Sequence, residues 1–233
     1  MRHKHKEAFA AAFPKTIPVM TGYIFLGIAF GILLSVEGYG PGWAFLMSLF
    51  IYAGSMQFVA VTLLAAAFNP VLALGMTLMI NARHLFYSIS MLDKFKNTGK
   101  LKPYLIFGLT DETFSVLCGI DAPENVDKKW FMFFVTILDQ CYWVTGSVIG
   151  GFIGSALSFN IPGLDFVLTA LFVVIFVGQW LETKEHMPAL IGLLCALICR
   201  LIFGASNFII PSMIAILVCF IAAKKPLERR LKL

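Results

Sequence analysis

Charged side chains are scarce in this sequence. Only 13% of the 233 residues are Asp, Glu, Lys or Arg, whereas 59% are apolar. From Gly38 to Ala82 the chain has no charged residue at all. Soluble domains carry about twice this share of charge, which they need to cover their surface. The composition therefore excludes an ordinary soluble class and predicts an all-α polytopic membrane protein.

The sequence also lacks the motifs of common membrane-embedded enzymes. It contains no HExxH, no GxxxxGK[ST] phosphate-binding loop and no GxSG serine, so metalloprotease, nucleotide-hydrolysing and serine protease chemistry are not predicted. The five cysteines lie in apolar stretches without a CxxC pair, and we interpret them as packing residues. We therefore expect no enzyme, no cofactor and no metal site.

Apolar runs predict seven to eight hydrophobic helical segments within one permease domain, residues 1–233. The first is 16–36, where Gly27 and Gly31 have the GxxxG spacing that lets two helices approach closely. The others are approximately 43–68, 71–92, 103–120, 130–156, 164–181, 186–200 and 207–223. A break is expected in the second segment, near residues 53–57.

Basic residues cluster before the first segment, in one loop and in the C-terminal tail. That loop, here called the lysine loop, contains Lys94, Lys96, Lys100 and Lys102. Positive residues favour the cytoplasmic side, so we expect the loop and both termini there. Segments two and three then make one net crossing, which requires a broken or re-entrant helix. Eight ordinary crossings, with the lysine loop outside, are the alternative.

A weak internal repeat favours broken helices. A Pro-Gly turn, a glutamine and an arginine recur in the same order in the two halves of the chain. They are Pro41-Gly42, Gln57 and Arg83, and then Pro162-Gly163, Gln179 and Arg200. We interpret the halves 16–120 and 130–223 as an inverted repeat, the arrangement of transporters that bind substrate at interrupted helices.

Ionisable residues inside the apolar segments are the main site candidates, because a charge in hydrocarbon is costly unless it is paired. They are Arg83, His84, Asp111, Glu112, Asp139 and Arg200. We predict that the two arginines pair with two of the three acids. The third carboxyl would then bind and release a proton, which is the usual basis of proton coupling.

Uncharged polar and aromatic residues near these groups complete the predicted site. They are Asn81, Gln57, Gln179, Tyr87 and Trp143. The two glutamines could line a path or simply bridge helices. A zwitterionic amino acid suits the whole set, because its carboxylate needs a cation and its ammonium needs a carboxylate.

Structural alternatives stay open for several of these residues. Arg83 could snorkel from a cytoplasmic helix end, and Arg200 could be purely structural. His84 could be a packed, hydrogen-bonded histidine that carries no proton. Asp139 could belong to an interhelical hydrogen-bond cluster without a role in transport.

At four motifs the chain resembles the AzlC family of branched-chain amino acid exporters. They are Ala53-Gly54-Ser55-Met56-Gln57-Phe58, Asn81-Ala82-Arg83-His84 with Tyr87, Thr110-Asp111-Glu112 with Phe114, and Tyr142-Trp143 leading to Gly146 and Gly150. The resemblance implies a permease of the plasma (inner) membrane that exports leucine, isoleucine, valine or analogues such as azaleucine. It also implies a second, small membrane subunit of the AzlD type.

We expect this export to be proton-coupled secondary transport, because no residue pattern for nucleotide binding is present. Asp139 stands where we expect a neutral polar residue to be commoner in relatives. A channel or transporter for another small solute or cation is the alternative function.

Overall fold

The computed structural model describes residues 2–65, 69–156, 173, 176–177, 180–181 and 186–222. The chain divides into two compact units, Met1–Asn160 and Ile161–Leu233, and each is considered by itself. The regular elements in the described ranges are helices without any strand, as predicted. Three helical stretches, 4–36, 128–156 and 187–204, are long and apolar enough to cross a membrane. The predicted count of seven to eight segments is not confirmed.

The first unit consists of helices of very different lengths. They are α1 Arg2–Val36, α2 Pro41–Phe50, α3 Gly54–Ala65, α4 Pro70–Ser90, a 3-10 helix Gly99–Leu101, α5 Lys102–Phe107, α6 Asp111–Gly119 and α7 Lys128–Ala156. Of the long helices, α1 packs along α7, and α4 contacts the short helices α3 and α6.

Helices α1 and α7 run parallel along their whole length. The ring of His5 lies 4.0 Å from that of Trp130 where both helices begin. Near their ends, Ser35 Oγ donates a hydrogen bond of 3.0 Å to Gly151 O. Both helices therefore start at the same end of the unit, here called the basic end.

Glycines make the α1–α7 contact close. A Cβ atom on Gly27 would lie 2.9 Å from Ser147 N, and one on Gly146 would lie 2.7 Å from Ile24 O. The two backbones can approach only because these positions carry no side chain. The contact predicted from the GxxxG spacing is confirmed.

Helix α1 begins earlier than predicted, because the basic N-terminal segment continues the helix. Ala8 and Ala12 are fully buried, and the ring of Phe9 packs against that of Phe134 on α7 at 5.5 Å. Burial of the two alanines and the packing of Phe9 favour a helix through Pro14 and Pro18, which by themselves would disfavour it.

The lysine loop lies at the basic end. Met91 and Phe95, on either side of its first lysine, belong to one buried cluster with Ala12 of α1 and Phe131 of α7. The N-terminus and the lysine loop therefore share one end of the unit, in agreement with the charge pattern. Helix α4 leads to this end from the opposite one, where α1 finishes.

Helices α2 and α3 form a hairpin that enters from the opposite end. Pro41, the first residue of α2, lies against Gly151 near the end of α7. The carbonyl of Leu49 accepts a bond of 3.1 Å from Gln140, halfway along α7. Residues 51–53 then turn the chain, with Tyr52 at a φ of 43°, and α3 runs back. The predicted break is confirmed.

Helices α5 and α6 form a second hairpin that enters from the basic end. Lys94 Nζ donates to Leu117 O at 2.7 Å and contacts Asp121 at 3.2 Å, so α6 returns to the lysine loop. The prediction of one continuous segment over 103–120 is wrong. Thr110 starts a new helix, because its side chain accepts a bond from Thr113 N.

The tips of the two hairpins meet between the ends of the unit. The ring of Tyr52 in the first tip lies 6.2 Å from the ring of Phe107 beside the second. The first tip lies beside Gln140 and the second beside Thr136, both near the middle of α7.

In the second unit the structure describes two helices in detail, α8 Met187–Asn207 and α9 Ile209–Ala222. Cys195 Sγ lies 3.7 Å from Cys219 Sγ, which places the two helices side by side. The second copy of the proposed repeat, at Pro162-Gly163 and Gln179, falls outside the described residues. The repeat is therefore not confirmed.

Candidate functional site

An arginine joins the two hairpins. Arg83 on α4 places Nη1 3.1 Å from Asp111 Oδ2, and its Nη2 donates to Ser55 Oγ at 3.0 Å. Ser55 is in the first turn of α3 and Asp111 is the first residue of α6. The predicted pairing of Arg83 with an acid is confirmed. The two side chains are 39% and 34% exposed.

Three buried polar atoms around this pair have no hydrogen-bond partner in the described part of the chain. They are Arg83 Nε, Asp111 Oδ1 and Asn81 Oδ1. Buried polar atoms are nearly always partnered, so these three need an explanation. One is a donor and two are acceptors, the set that a carboxylate and an ammonium group together would satisfy.

His84 and Tyr87 extend the site along α4. His84 Nδ1 lies 3.3 Å from Asn81 O, and its Nε2 lies 4.0 Å from Asp111 Oδ1. The Tyr87 ring stacks on Phe114 of α6 with centroids 4.5 Å apart. His84 is thus a packed histidine beside the carboxylate, and the stacked rings form an apolar surface one turn away.

Glu112 and Asp139 are not paired with any cation in the described ranges. Tyr23 Oη instead lies 2.6 Å from Glu112 Oε2 and 2.6 Å from Thr110 Oγ1. Thr113 Oγ1 donates to Asp139 Oδ2 at 2.8 Å and lies 3.1 Å from Thr110 Oγ1. These contacts link the two carboxyls through three hydroxyl groups.

The sequence patterns do not predict Tyr23 or Thr113 as members of the site. Tyr23 lies in an apolar stretch, and Thr113, although it follows Asp111-Glu112, carries no charge. Thr110 has a clearer signal, because a threonine before two acids is typical of a helix start. This signal indicates that a helix begins at Thr110, which is where the second hairpin turns.

A hydrogen bond between Gln57 and Trp143 bridges α3 and α7. Gln57 is completely buried; its Oε1 accepts from Trp143 Nε1 at 2.9 Å and from Ala53 N at 3.2 Å. Its Nε2 donates to Ser48 Oγ at 3.2 Å. This geometry fits the bridging alternative, because the amide is completely buried and both its oxygen and its nitrogen are bonded within the protein.

Arg200 lies on α8 in the second unit. Its side chain is exposed, and its guanidinium carbon is 5.7 Å from the centre of the Phe208 ring. The described residues of that unit include no Asp or Glu. The predicted pairing of Arg200 with an acid stays a prediction, as does the role of Gln179.

Comparison with known proteins gives one consistent result. The family model described as "AzlC protein" matches residues 18–157, which include every residue of the site in the first unit. The chain is 54% identical to the "Branched-chain amino acid transport protein AzlC" of Bacillus subtilis over 222 residues, covering 95% of this chain and 87% of the relative.

More distant relatives are also membrane proteins by name. An "Uncharacterized membrane protein" of Haemophilus influenzae is 44% identical, over 97% of this chain and 93% of its own. The "Inner membrane protein YgaZ" of Escherichia coli is 30% identical, over 88% of this chain and 84% of its own. No solved structure matches the chain.

Proposed function

Because the chain belongs to the AzlC family, we propose that it transports branched-chain and other hydrophobic amino acids, such as leucine, isoleucine, valine and azaleucine. The name of the Bacillus subtilis relative supports this substrate class. We further propose that transport is outward, across the plasma membrane, and coupled to protons. A small membrane subunit of the AzlD type completes the transporter.

The observation that carries this proposal is the Arg83–Asp111 pair with its unpartnered neighbours. In the proposed complex the substrate carboxylate accepts from Arg83 Nε and faces the N-terminus of α3 beside Ser55. The substrate ammonium donates to Asp111 Oδ1 and Asn81 Oδ1. A zwitterion thus satisfies the three buried atoms that have no partner.

The lengths of the two hairpins support a substrate site near the middle of the membrane. The ten residues of α2 and the nine of α6 rise about 15 and 13 Å, so each tip lies near the midplane of a ~30 Å hydrocarbon core. Substrate sites of secondary transporters are built at such interrupted helices. Alternating access would then open the site to one end of the unit at a time.

The stacked rings of Tyr87 and Phe114 support an apolar side chain on the substrate. They lie one turn beyond the ion pair on the same two helices, α4 and α6. A leucine held by its charged groups at Arg83 and Asp111 would extend its alkyl chain toward these rings, which gain from apolar contact.

Counterflow in proteoliposomes tests the proposal. Vesicles loaded with leucine and carrying the chain with its small subunit should accumulate labelled leucine. Arg83→Gln and Asp111→Asn should each lower the rate about tenfold or more, because each removes a hydrogen bond to a charged group. Asp121→Asn is the matched control, since this carboxyl is 80% exposed at the basic end.

Three outcomes of this assay separate the alternatives. Loss of counterflow in Arg83→Gln and Asp111→Asn but not in Asp121→Asn supports the site. Equal rates in all four proteins contradict it. Transport of an inorganic or organic cation, with no leucine counterflow, would favour the alternative function.

A further inference from the structure

We propose that Glu112 and Asp139 share a single transferable proton through the hydroxyl groups of Tyr23, Thr110 and Thr113. These five residues are here called the hydroxyl chain. The proposal rests on the proton-coupled transport proposed above only where it assigns this proton to coupling. The existence of the shared proton follows from the geometry of the five side chains.

The hydroxyl chain has four links between its two ends. In order they are Glu112 Oε2 to Tyr23 Oη at 2.6 Å, Tyr23 Oη to Thr110 Oγ1 at 2.6 Å, Thr110 Oγ1 to Thr113 Oγ1 at 3.1 Å, and Thr113 Oγ1 to Asp139 Oδ2 at 2.8 Å. Three of these separations lie within the usual O–H···O range, and the 3.1 Å contact between the two threonines is the longest. When all four links are hydrogen bonds, they hold four protons.

The hydroxyl groups supply only three protons. Each hydroxyl is one donor, and an ionised carboxylate is an acceptor only. If Tyr23 donates to Glu112 and Thr113 donates to Asp139, Thr110 has one proton for two neighbours, Tyr23 and Thr113. One link then stays empty. A proton on either carboxyl fills all four links.

The extra proton can lie on the carboxyl at either end of the hydroxyl chain. When Glu112 carries it, Glu112 donates to Tyr23, Tyr23 to Thr110, Thr110 to Thr113, and Thr113 to the Asp139 carboxylate. When Asp139 carries it, every bond points the other way. One proton hop along each link converts the first arrangement into the second. The net result moves one proton from Glu112 to Asp139, and no heavy atom moves.

The two ends of the hydroxyl chain differ in access. Glu112 is exposed, whereas Asp139 is completely buried and its Oδ1 has no hydrogen-bond partner among the described residues. A proton can therefore enter at Glu112 and reach a carboxyl that lies deep between α1, α6 and α7.

The surroundings favour one proton over none. No Lys, Arg or His in the described ranges lies within ion-pair distance of Glu112 or Asp139, so a second anion would stay uncompensated. The buried hydroxyl of Tyr52 interacts electrostatically with both carboxyls, whereas the hydroxyl of Tyr104 donates to Gln140 Oε1 at 2.7 Å. Asp111, next to Glu112, is held by Arg83 instead.

Infrared difference spectroscopy of the full chain in lipid tests for the shared proton without using any substrate. At neutral pH the wild-type protein should show the carbonyl band of one protonated carboxyl that involves Glu112 or Asp139. Glu112→Gln and Asp139→Asn should each abolish the whole band, because an amide at either end donates the fourth proton itself. Tyr23→Phe should shift the band without abolishing it, because a carboxyl then keeps the proton but the link between Glu112 and Asp139 is broken.

Matched controls exclude general effects of the substitutions. Tyr142→Phe removes another buried tyrosine hydroxyl, which is bonded to Thr16 and does not belong to the hydroxyl chain. Thr136→Val removes another buried threonine hydroxyl. Both should leave the band unchanged. The proposal is overturned if the wild type shows no such band, if the band survives in either amide variant, or if its position is unchanged in Tyr23→Phe.

Transport then tests the assignment of this proton to coupling. Tyr23→Phe should lower leucine accumulation driven by a pH gradient about tenfold or more, a larger loss than it causes in counterflow without a gradient. Equal losses in both assays overturn the assignment. If leucine is not transported at all but the infrared results hold, the proposed function fails and the shared proton stands.

Discussion

Arg83 can hold two hairpins at once because its guanidinium is a fork with several donors. One terminal nitrogen contacts Asp111 on α6 and the other contacts Ser55 on α3. Lysine carries the same charge on a single nitrogen and cannot reproduce both contacts with the same geometry. The choice of residue at this position therefore matters beyond its charge.

For this reason Arg83→Lys should behave nearly as Arg83→Gln does. We expect leucine counterflow to fall by about tenfold, since the loss of one hydrogen bond to a charged group has this effect. Ser55→Ala keeps the ion pair, so it should lower leucine counterflow by less. A lysine variant that transports at the wild-type rate would show that charge alone is required.

A second prediction at the residue scale concerns Gln57 and Trp143. Gln57→Leu leaves Trp143 Nε1, Ala53 N and Ser48 Oγ without their partner, so the free energy of unfolding should fall by about 1–3 kcal/mol. Thermal stability of the protein in detergent measures this loss. When Gln57→Leu is combined with Trp143→Phe, the loss in free energy of unfolding should be smaller than the sum of the losses in the two single variants. Additive losses would contradict a hydrogen bond between the two side chains.

At the scale of elements, the chain uses short helices to bring polar backbone ends to the centre of the unit. Thr110 caps α6, and Asp111 and Glu112 occupy its first turn, where negative charge is stabilised by the helix dipole. The acids therefore stabilise the same helix start that places them beside Arg83 and Tyr23.

The α1–α7 contact yields a prediction with an internal control. Gly31→Ala places a methyl group against the backbone of Ser147 and Gly151, whereas at Gly22 on the same helix nothing lies within 4 Å. We expect Gly31→Ala to lower the yield of folded protein in size-exclusion chromatography. Gly22→Ala should be neutral or slightly stabilising, since alanine favours a helix by about 0.5–1 kcal/mol over glycine. Equal yields would contradict the close contact.

At the scale of the whole molecule, the topology follows from which loops share an end. The turn after α1 contains Glu37, and the lysine loop lies at the other end of the unit with the start of α1. Positive residues favour the cytoplasm, so the basic end is expected to face it. With eight ordinary crossings Glu37 and the lysine loop would instead lie on the same side.

Thiol labelling distinguishes these topologies. In a background without the natural cysteines, Glu37→Cys should react with an impermeant reagent in right-side-out vesicles. Lys100→Cys should react only in inside-out vesicles. Both positions are exposed, so burial does not prevent labelling. Reaction of both from the same side would contradict the two hairpins.

The sequence by itself determined the class, the family and the pairing of Arg83 with an acid, while the list of site residues stays a prediction. Scarce charge over long runs requires a bilayer, and an arginine there requires an acid; both conclusions depend on the cost of a bare charge in hydrocarbon. The GxxxG contact and the break after α2 also followed from local patterns. Each of these properties is written in neighbouring residues.

Only the tertiary structure decided which acid pairs with Arg83 and where the other two lie. Asp111 and Glu112 are adjacent in sequence, yet one meets an arginine and the other a tyrosine, because a helix turns neighbouring side chains by about 100°. The folding of 103–120 into a hairpin and the links from Tyr23 to Asp139 depend on contacts between distant residues. Local patterns contain no record of such contacts, since burial and hydrogen bonding across helices are properties of the packed unit.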